Sequence, residues 1–307
     1  MQNKNFKSGS DELPIAGDSN NGAEGGVLYI VATPIGNLKD ITLRALDVLA
    51  TVDWVAAEDT RHSKRLLQHY ALHKPMVSLH EHNEFDRRHE LLQKLKKGEK
   101  GALISDAGTP LISDPGYHLV NLLRQEGIRV VPIPGASAFV SALCAAGLPT
   151  DRFAFEGFLP AKKNKRLLAL QALCNETRTL IFYESPHRLL DSLASFQAAF
   201  GGDQEMVVAK EITKQFEQFQ SGTVSEILQY FEVHPDKVRG EFVLMVNGTL
   251  AESSEKSKSE LGEKVDSAIL VLLKQELPVK QIAEIVSQWQ DVKKKAVYER
   301  TLQLKSD

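Results

Sequence analysis

The sequence contains little cysteine and no long apolar run. Its 307 residues include only Cys144 and Cys174, and their spacing fits neither a disulfide framework nor a zinc site. Both lie in apolar helical patterns, so we expect two small core residues in a reducing compartment. No apolar stretch approaches the ~20 residues that a membrane helix requires, and the first residues lack a signal-peptide core. These absences favour a soluble, cytoplasmic protein.

The chain also lacks a large net charge, the common nucleotide-binding fingerprints and a credible metal cluster. Its net charge is -3, without the overall basic character of many nucleic-acid-binding domains. Neither G-x-G-x-x-G nor G-x-x-x-x-G-K-[ST] occurs. His80 and His82 are two residues apart, a spacing that falls on neither face of a helix, and no cysteine or further ligand cluster supports a metal, so we predict no metal site. Charge is nevertheless uneven, since residues 61–100 hold ten Lys/Arg against five Asp/Glu.

The most informative stretch is SDAGTPLISDPG at residues 105–116. It follows a short apolar run and precedes a helical pattern, which places it where a strand turns into a helix. Ligands of open α/β sheets bind at such carboxyl ends. Gly108 and Gly116 permit close backbone approach, and Asp106 and Asp114 can bind a hydroxyl or an amine. A plain turn with helix-capping aspartates is the alternative.

Other predicted strands end in the same manner. The strand at 27–32 runs into TPIGN, the strand at 54–57 into EDTR, and the strand at 129–133 into PGASA. Small or turn-forming residues therefore recur at successive strand ends in a region where strands and helices alternate. This pattern predicts a parallel sheet whose carboxyl edge binds a small molecule.

The chain divides by composition into five parts. We predict a disordered leader (1–25), an N-terminal α/β domain (26–148), a second α/β domain (149–249), a Ser/Lys/Glu linker (250–262) and a small helical domain (263–307). The second domain has predicted strands at 153–156, 179–183, 205–210 and 241–246. Three short helices in the tail, at 265–275, 279–288 and 292–304, are compatible with a helix-turn-helix or with a capping or dimer-stabilising tail.

Two polar segments of the second domain add charge. PAKKNKR at 160–166 is compatible with a phosphate contact and equally with a solvated helix start. YESPHR at 183–188 ends a strand and opens a helix, with Ser185 and Pro186 in structural roles. Glu184, His187 and Arg188 are then left to face the same crevice.

Taken together, these motifs resemble a known family. LYIVATPIGNLKDITLRAL, EDTRHSKRLL, SDAGTPLISDPG, PGASA, GFLP, TLIFYESPHR, EITK and GEFV occur in order. The chain thus resembles the bacterial 16S ribosomal RNA cytidine 2′-O-ribose methyltransferases of the tetrapyrrole-methylase superfamily, over residues 27–247 and more loosely in the tail. The leader, and a turn between the last two helices that lacks glycine, depart from the family pattern.

The resemblance implies an α/β enzyme of the tetrapyrrole-methylase type (a class III methyltransferase) that binds S-adenosylmethionine between its two α/β domains. Position by position, it implies a cofactor site made of Pro34, Gly36, Asp106, Gly108, Thr109, Ser113, Gly135, Ala136, Ser137, Ala138, Tyr183, Glu184, Gly240 and Glu241. The implied substrate is the ribose 2′-hydroxyl of a cytidine in the decoding region of 16S rRNA, within the assembled 30S subunit. A homodimer is also implied.

The residues themselves suggest the remaining roles. A ribose hydroxyl benefits from a positioned base, for which the candidates are Glu58, Asp59, Glu184 and Glu211. We expect phosphate contacts from Arg61, Lys162, Lys165, Arg166, His187 and Arg188. Two other functions are compatible with the pattern: methylation of a tetrapyrrole precursor, and a non-catalytic ribosome-assembly factor that binds RNA.

Overall fold

The structure, a computed structural model, describes residues 26–248, 265–275, 277–289 and 294–306. These divide into two compact units, the first made of residues up to 171 with 179–246 and the second of 172–178 with the tail. The predicted leader (1–25) and linker (250–262) lie outside the described residues, and the domain bounds given above stay a prediction. Within the described part of the chain, no helix is long and apolar enough to cross a membrane.

The first half of the large unit is a five-stranded parallel sheet with the strand order β3-β2-β4-β1-β5. Its strands are β1 (Val27–Val31), β2 (Trp54–Ala57), β3 (Met76–Ser78), β4 (Lys100–Ile104) and β5 (Arg129–Ile133). Its helices are α1 (Leu43–Thr51), α2 (Thr60–His69), α3 (Glu84–Lys96), α4 (Tyr117–Gln125) and α5 (Ala138–Ala146). The parallel sheet inferred from the sequence is present, although β3, a three-residue edge strand, was not foreseen.

Alternating side chains of β1 show why this sheet is covered on both faces. Tyr29 and Val31 belong to one buried cluster with α1 and α2, whereas Leu28 belongs to another with α3 and α4. Because all five strands are parallel, the turns that follow them meet at one edge.

The second half is a mixed sheet with the order β6-β7-β10-β8-β9, in which β6 and β7 are parallel and the other pairs antiparallel. Its strands are β6 (Phe153–Phe158), β7 (Thr179–Glu184), β8 (Glu205–Lys210), β9 (Gln218–Thr223) and β10 (Phe242–Val246), and its helices are α6 (Lys163–Ala172), α7 (Leu189–Phe200) and α8 (Val224–Val233). Strand β9 was also missed, because its sequence, QFQSGT, is polar and none of its residues is buried.

Helix α5 belongs to the first half in sequence but packs on the second sheet. Ala142 and Leu143 are buried against Ile181 and Val207. This orientation leaves Cys144 exposed, so the expectation that it is a core residue is wrong. Cys174 is half-buried, and burial raises the pKa of its thiol.

The tail contains helices at the three predicted places: α9 (265–274), α10 (Val279–Trp289) and α11 (Lys294–Ser306). Their apolar side chains form a separate buried cluster of Ile269, Ile282, Ala283, Val286 and Val297. The small helical unit therefore has a core of its own.

Candidate active site

Three turns at the carboxyl edge of the first sheet are tied to one another. The turn after β1 bonds to the turn after β4 in both directions, from Thr33 N to Gly108 O (2.8 Å) and from Gly108 N to Thr33 O (3.1 Å). The Thr109 hydroxyl donates to Ala136 O in the turn after β5 (3.0 Å). These hydrogen bonds hold the turns after β1, β4 and β5 next to one another.

A cavity of about 340 Å³ lies between these turns and the facing ends of β7 and β10. Its volume is within the usual range for small-molecule sites. We call it the central cavity, and its lining residues are Ile35, Ala107, Gly108, Thr109, Ile112, Ser113, Asp114, Ser137, Ala138, Phe158, Tyr183, Glu184, Ser185, Pro186, Gly240, Glu241, Phe242 and Val243.

Nine of the fourteen residues expected at the cofactor line this cavity: Gly108, Thr109, Ser113, Ser137, Ala138, Tyr183, Glu184, Gly240 and Glu241. Their role toward a cofactor stays a prediction. The Tyr183 hydroxyl accepts a hydrogen bond from Phe139 N (3.3 Å), which holds the ring against the first turn of α5.

The other five expected residues, Pro34, Gly36, Asp106, Gly135 and Ala136, are not among the lining residues. A Cβ built on Gly36 would lie 2.6 Å from Lys214 Cγ, and one built on Gly135 would lie 2.8 Å from Ala32 Cβ. Asp106 accepts a hydrogen bond from Asp59 N (3.2 Å). Gly36 and Gly135 therefore allow neighbouring segments of the site to pack closely, and Asp106 binds the backbone of one such segment.

The loop at 105–116 has an unfavourable backbone. Leu111 and Ser113 have φ values of 71° and 65°, a left-handed conformation that costs a residue with a Cβ about 1–2 kcal/mol. Within the described residues, the other positive-φ residues besides glycine are Ala71, Glu211 and Thr213. Four of the five thus lie in the loops after β4 and β8, and strain of this kind clusters at functional sites.

Asp114 lies in the same loop, and its carboxyl has a raised pKa. Burial, together with the negative charges of Glu58 and Asp106, raises the pKa of its carboxyl to about 6, although a hydrogen bond from Ser105 acts in the opposite direction. The sequence points to Asp114 as a ligand-binding carboxylate, but not as a candidate base. Its charge acts on Tyr183 of the second sheet, an interaction that no local motif reveals.

Two of the four candidate bases are occupied in structural contacts. The buried Glu184 carboxylate accepts from Ser185 N (2.9 Å) and from the Ser192 hydroxyl, and it forms an ion pair with Arg188 (3.3 Å). The Glu211 carboxylate accepts from Glu241 N (3.0 Å) and pairs with Lys214 (2.8 Å). Both carboxylates stabilise the wall of the site, and a role as base stays a prediction for them.

The other two candidates lie at the border of the site and do not line the cavity. Burial, followed by the charge of Asp106, raises the pKa of Glu58. Hydrogen bonds from Arg61 hold the pKa of Asp59 below its usual range, and Asp59 caps the first turn of α2.

The residues expected to contact RNA fall into two groups. Arg61, Lys162, Lys165 and His187 are exposed. Arg166 is only 2% exposed, and its guanidinium donates to Ser195 Oγ, Ala161 O and Asp191 O. A side chain enclosed in this way cannot reach a phosphate, so the prediction for Arg166 is wrong. Arg188 is mostly enclosed and donates to Leu159 O.

A second, open cleft of about 570 Å³ lies beside the first turns of α2. We call it the α2 groove. Its lining combines basic, polar and apolar residues, and none of the described residues that form it is acidic: Thr60, Arg61, Lys64, Leu67, Gln68, Leu72, His73, Lys74, Pro75 and Met76. Sequence reasoning found Arg61 alone, because only folding brings His73 and Lys74 to the helix.

Comparison with known proteins agrees with this geometry. The model of a family described as Tetrapyrrole (Corrin/Porphyrin) Methylases matches residues 27–228, and one described as RsmI C-terminal HTH domain matches residues 261–305. A ribosomal RNA small subunit methyltransferase I of Haemophilus influenzae is 50% identical over 89% of this chain and 95% of its own. A protein of the same name from Pseudomonas aeruginosa is 50% identical over 91% of this chain and 97% of its own.

Solved structures show the same fold at low identity. A cobalt precorrin-4 methyltransferase has a TM-score of 0.54 and 18% identity, covering 72% of this chain and 94% of its own. A diphthine synthase has a TM-score of 0.55 and 13% identity, covering 73% of this chain and 90% of its own. The predicted fold class is thereby confirmed.

Proposed function

Because the chain belongs to the tetrapyrrole methylases and, within them, to the ribosomal RNA small subunit methyltransferases I, we propose that it methylates the ribose 2′-hydroxyl of a cytidine in 16S rRNA. The methyl donor is S-adenosylmethionine, and the acceptor lies in the decoding region of the assembled 30S subunit. The observation that carries the proposal is the 50% identity over about nine-tenths of the chain with relatives of that name.

The central cavity fits this methyl donor by charge as well as by size. The charged residues among its described lining are Asp114, Glu184 and Glu241, all of them acidic. Glu184 and Glu241 are each paired with a cation, so Asp114 is the acid of this lining that favours a ligand with a positive sulfonium and an ammonium group. Gly108 contributes backbone to the lining without a side chain, and the Thr109 hydroxyl is held by Ala136 O.

The cofactor supplies an activated methyl group, so the protein has chiefly to align and enclose the reactants. The tied turns around Thr33, Gly108 and Ala136 provide a fixed wall. Phe158, 56% exposed at the end of β6, also lines the cavity and offers an apolar ring at its border. Exposed aromatic rings of this kind stack with unpaired bases of RNA.

Exposed basic side chains near the cavity suit an RNA backbone. Arg61 at the α2 groove, Lys162 and Lys165 at the start of α6, and His187 after β7 are available to phosphates. Asp59 N donates to Asp106 (3.2 Å), which attaches the start of α2 to the cavity loop. An RNA strand with one nucleotide at the cavity would therefore pass close to the groove. A homodimer and a cytoplasmic location accompany the proposal as predictions from the sequence.

The fold alone allows another acceptor, since a cobalt precorrin-4 methyltransferase has the same fold. The test offers the full-length protein and methyl-labelled S-adenosylmethionine to three acceptors in parallel. These are small ribosomal subunits that lack ribose methylation, naked 16S rRNA, and tetrapyrrole precursors. We expect label in the RNA of the subunits, at a position resistant to alkaline cleavage.

Two glycine variants provide the control. Gly108→Ala and Gly98→Ala both place a Cβ at positive φ (82° and 89°), so their backbone cost is similar. Gly108 lines the cavity, whereas no described atom lies within 4 Å of a Cβ at Gly98. Transfer should fall with the first variant alone. Label in a tetrapyrrole, or subunit binding without any transfer, would contradict the proposal.

A further inference from the structure

Asp114 differs from the other two carboxylates of the central cavity in its partners. Glu184 is paired with Arg188 and Glu241 with Lys214. The described groups that act on Asp114 are the Ser105 hydroxyl, Glu58, Asp106 and Tyr183. None of these is a cation, and two are acids. The Asp114 carboxylate is therefore without a positive partner among the described residues that face it.

Capping does not explain this position. The N-cap of α4 is Gly116, with no side-chain cap bond, so Asp114 does not stabilise the helix that follows it. Its loop instead adopts left-handed backbone at Leu111 and Ser113. A backbone that costs stability and carries a half-buried acid to a cavity indicates that the acid acts on a ligand.

We infer that Asp114 carries the negative charge opposite the cationic centre of the methyl donor and accepts the proton of the substrate hydroxyl during transfer. This inference rests on the proposed function. It assigns the role of base in that function to Asp114 and not to Glu184 or Glu211, which stabilise the wall of the cavity.

Charges and protons balance in this step. As an oxygen lone pair forms the new bond to the methyl carbon, the electrons of the carbon–sulfur bond return to sulfur, and the O–H proton passes to the Asp114 carboxylate. Before transfer the sulfur is positive and Asp114 negative, and afterwards both are neutral. A strong base is unnecessary, because an oxygen that has gained a methyl group is far more acidic than the free hydroxyl.

The same arrangement couples donor binding to ionisation. Without ligand, burial keeps the pKa of Asp114 at about 6, so about half of the molecules carry the proton at pH 6 and about a tenth at pH 7. A nearby positive sulfur lowers this pKa, so donor binding releases a proton. S-adenosylhomocysteine, whose sulfur is neutral, should bind without that release.

Titration calorimetry measures this difference on the full chain without RNA. Binding of each ligand at pH 6 in two buffers of different ionisation enthalpy gives the number of protons released. For the wild type, we expect release with S-adenosylmethionine to exceed that with S-adenosylhomocysteine by up to about 0.5 proton per site. In Asp114→Asn the difference should vanish, whereas Asp203→Asn, an exposed acid before β8, should keep it.

A second measurement uses the same variant with small ribosomal subunits. Asp114→Asn should keep its affinity for S-adenosylhomocysteine, which shows that the site is folded, and should lose about 10²-fold or more in single-turnover methyl transfer. Equal proton release for both ligands in the wild type would overturn the inference and leave the proposed function intact. Failure of the wild type to bind S-adenosylmethionine would instead overturn the proposed function.

Discussion

Arg166 and Lys165 are adjacent in sequence, and both were expected to contact RNA, but the structure gives them different roles. Arg166 is enclosed between the start of α6 and α7. Its Nε donates to Ser195 Oγ (3.0 Å), and its two terminal nitrogens donate to Ala161 O (3.2 Å) and Asp191 O (3.3 Å). Lys165 is exposed. The pair Arg166→Met and Lys165→Met therefore separates folding from RNA binding.

The expected cost of Arg166→Met follows from these bonds. A hydrogen bond from a charged donor contributes about 1.5–3 kcal/mol, and three are removed. The loss is partly offset, because Asp191 O still accepts a hydrogen bond from Ser195 Oγ (2.7 Å). Ala161 O, in contrast, loses its Arg166 donor without such an offset. The ion pair with the Asp191 carboxylate spans 3.8 Å and adds little, since that group is 78% exposed. We expect a net loss of about 2–4 kcal/mol.

Thermal unfolding and subunit binding check this pair. Arg166→Met should lower the unfolding midpoint by about 5–12 °C, while Lys165→Met should change stability by less than ~0.5 kcal/mol and weaken binding to small subunits. A midpoint of Arg166→Met within about 1 °C of the wild type, together with subunit binding weakened as in Lys165→Met, would show that Arg166 contacts RNA instead.

Three further outcomes are expected. Because folding raises the pKa of Asp114 to about 6, ionisation of this one group costs the wild type stability as pH rises from about 4 to 6. The unfolding midpoint of Asp114→Asn minus that of the wild type should therefore be larger at pH 7 than at pH 4, and an equal difference at the two pH values would contradict this. Gly108→Ala should weaken S-adenosylmethionine binding in calorimetry, and Gly98→Ala should not; equal weakening would place the donor elsewhere. Lys64→Ala should reduce the slope of log K for subunit binding against log salt concentration by ~0.7. Arg124→Ala, at the opposite end of the first sheet, should leave this slope unchanged. An unaltered slope for Lys64→Ala would exclude a phosphate in the α2 groove.

Much of the first sheet could be predicted from the sequence, because its strands are continuous apolar runs that end in turn-forming residues. Strands β2 and β5 begin and end at the predicted residues. The edge strands β3 and β9 could not be found in this way. The first is three residues long and the second is polar, so pairing with a neighbour defines both.

The turns that form the site could be predicted from the sequence. The contacts of its side chains could be predicted less well. The motif at 105–116 indicates a ligand site, and the structure places Gly108, Thr109 and Ser113 at the cavity. Whether a charged side chain is free or paired depends on residues distant in sequence. Arg166 meets Ser195 across 29 positions, and no local pattern reveals that an arginine in a lysine-rich loop points inward.

The position of the methyl group in the product distinguishes ribose methylation from methylation of a base or of another acceptor. Small subunits are treated with the protein and S-adenosylmethionine that carries a deuterated methyl group, and nucleosides from their RNA are separated by mass spectrometry. We expect the heavy methyl group on the ribose of cytidine. A heavy methyl on a base, or none in the RNA, would contradict this expectation.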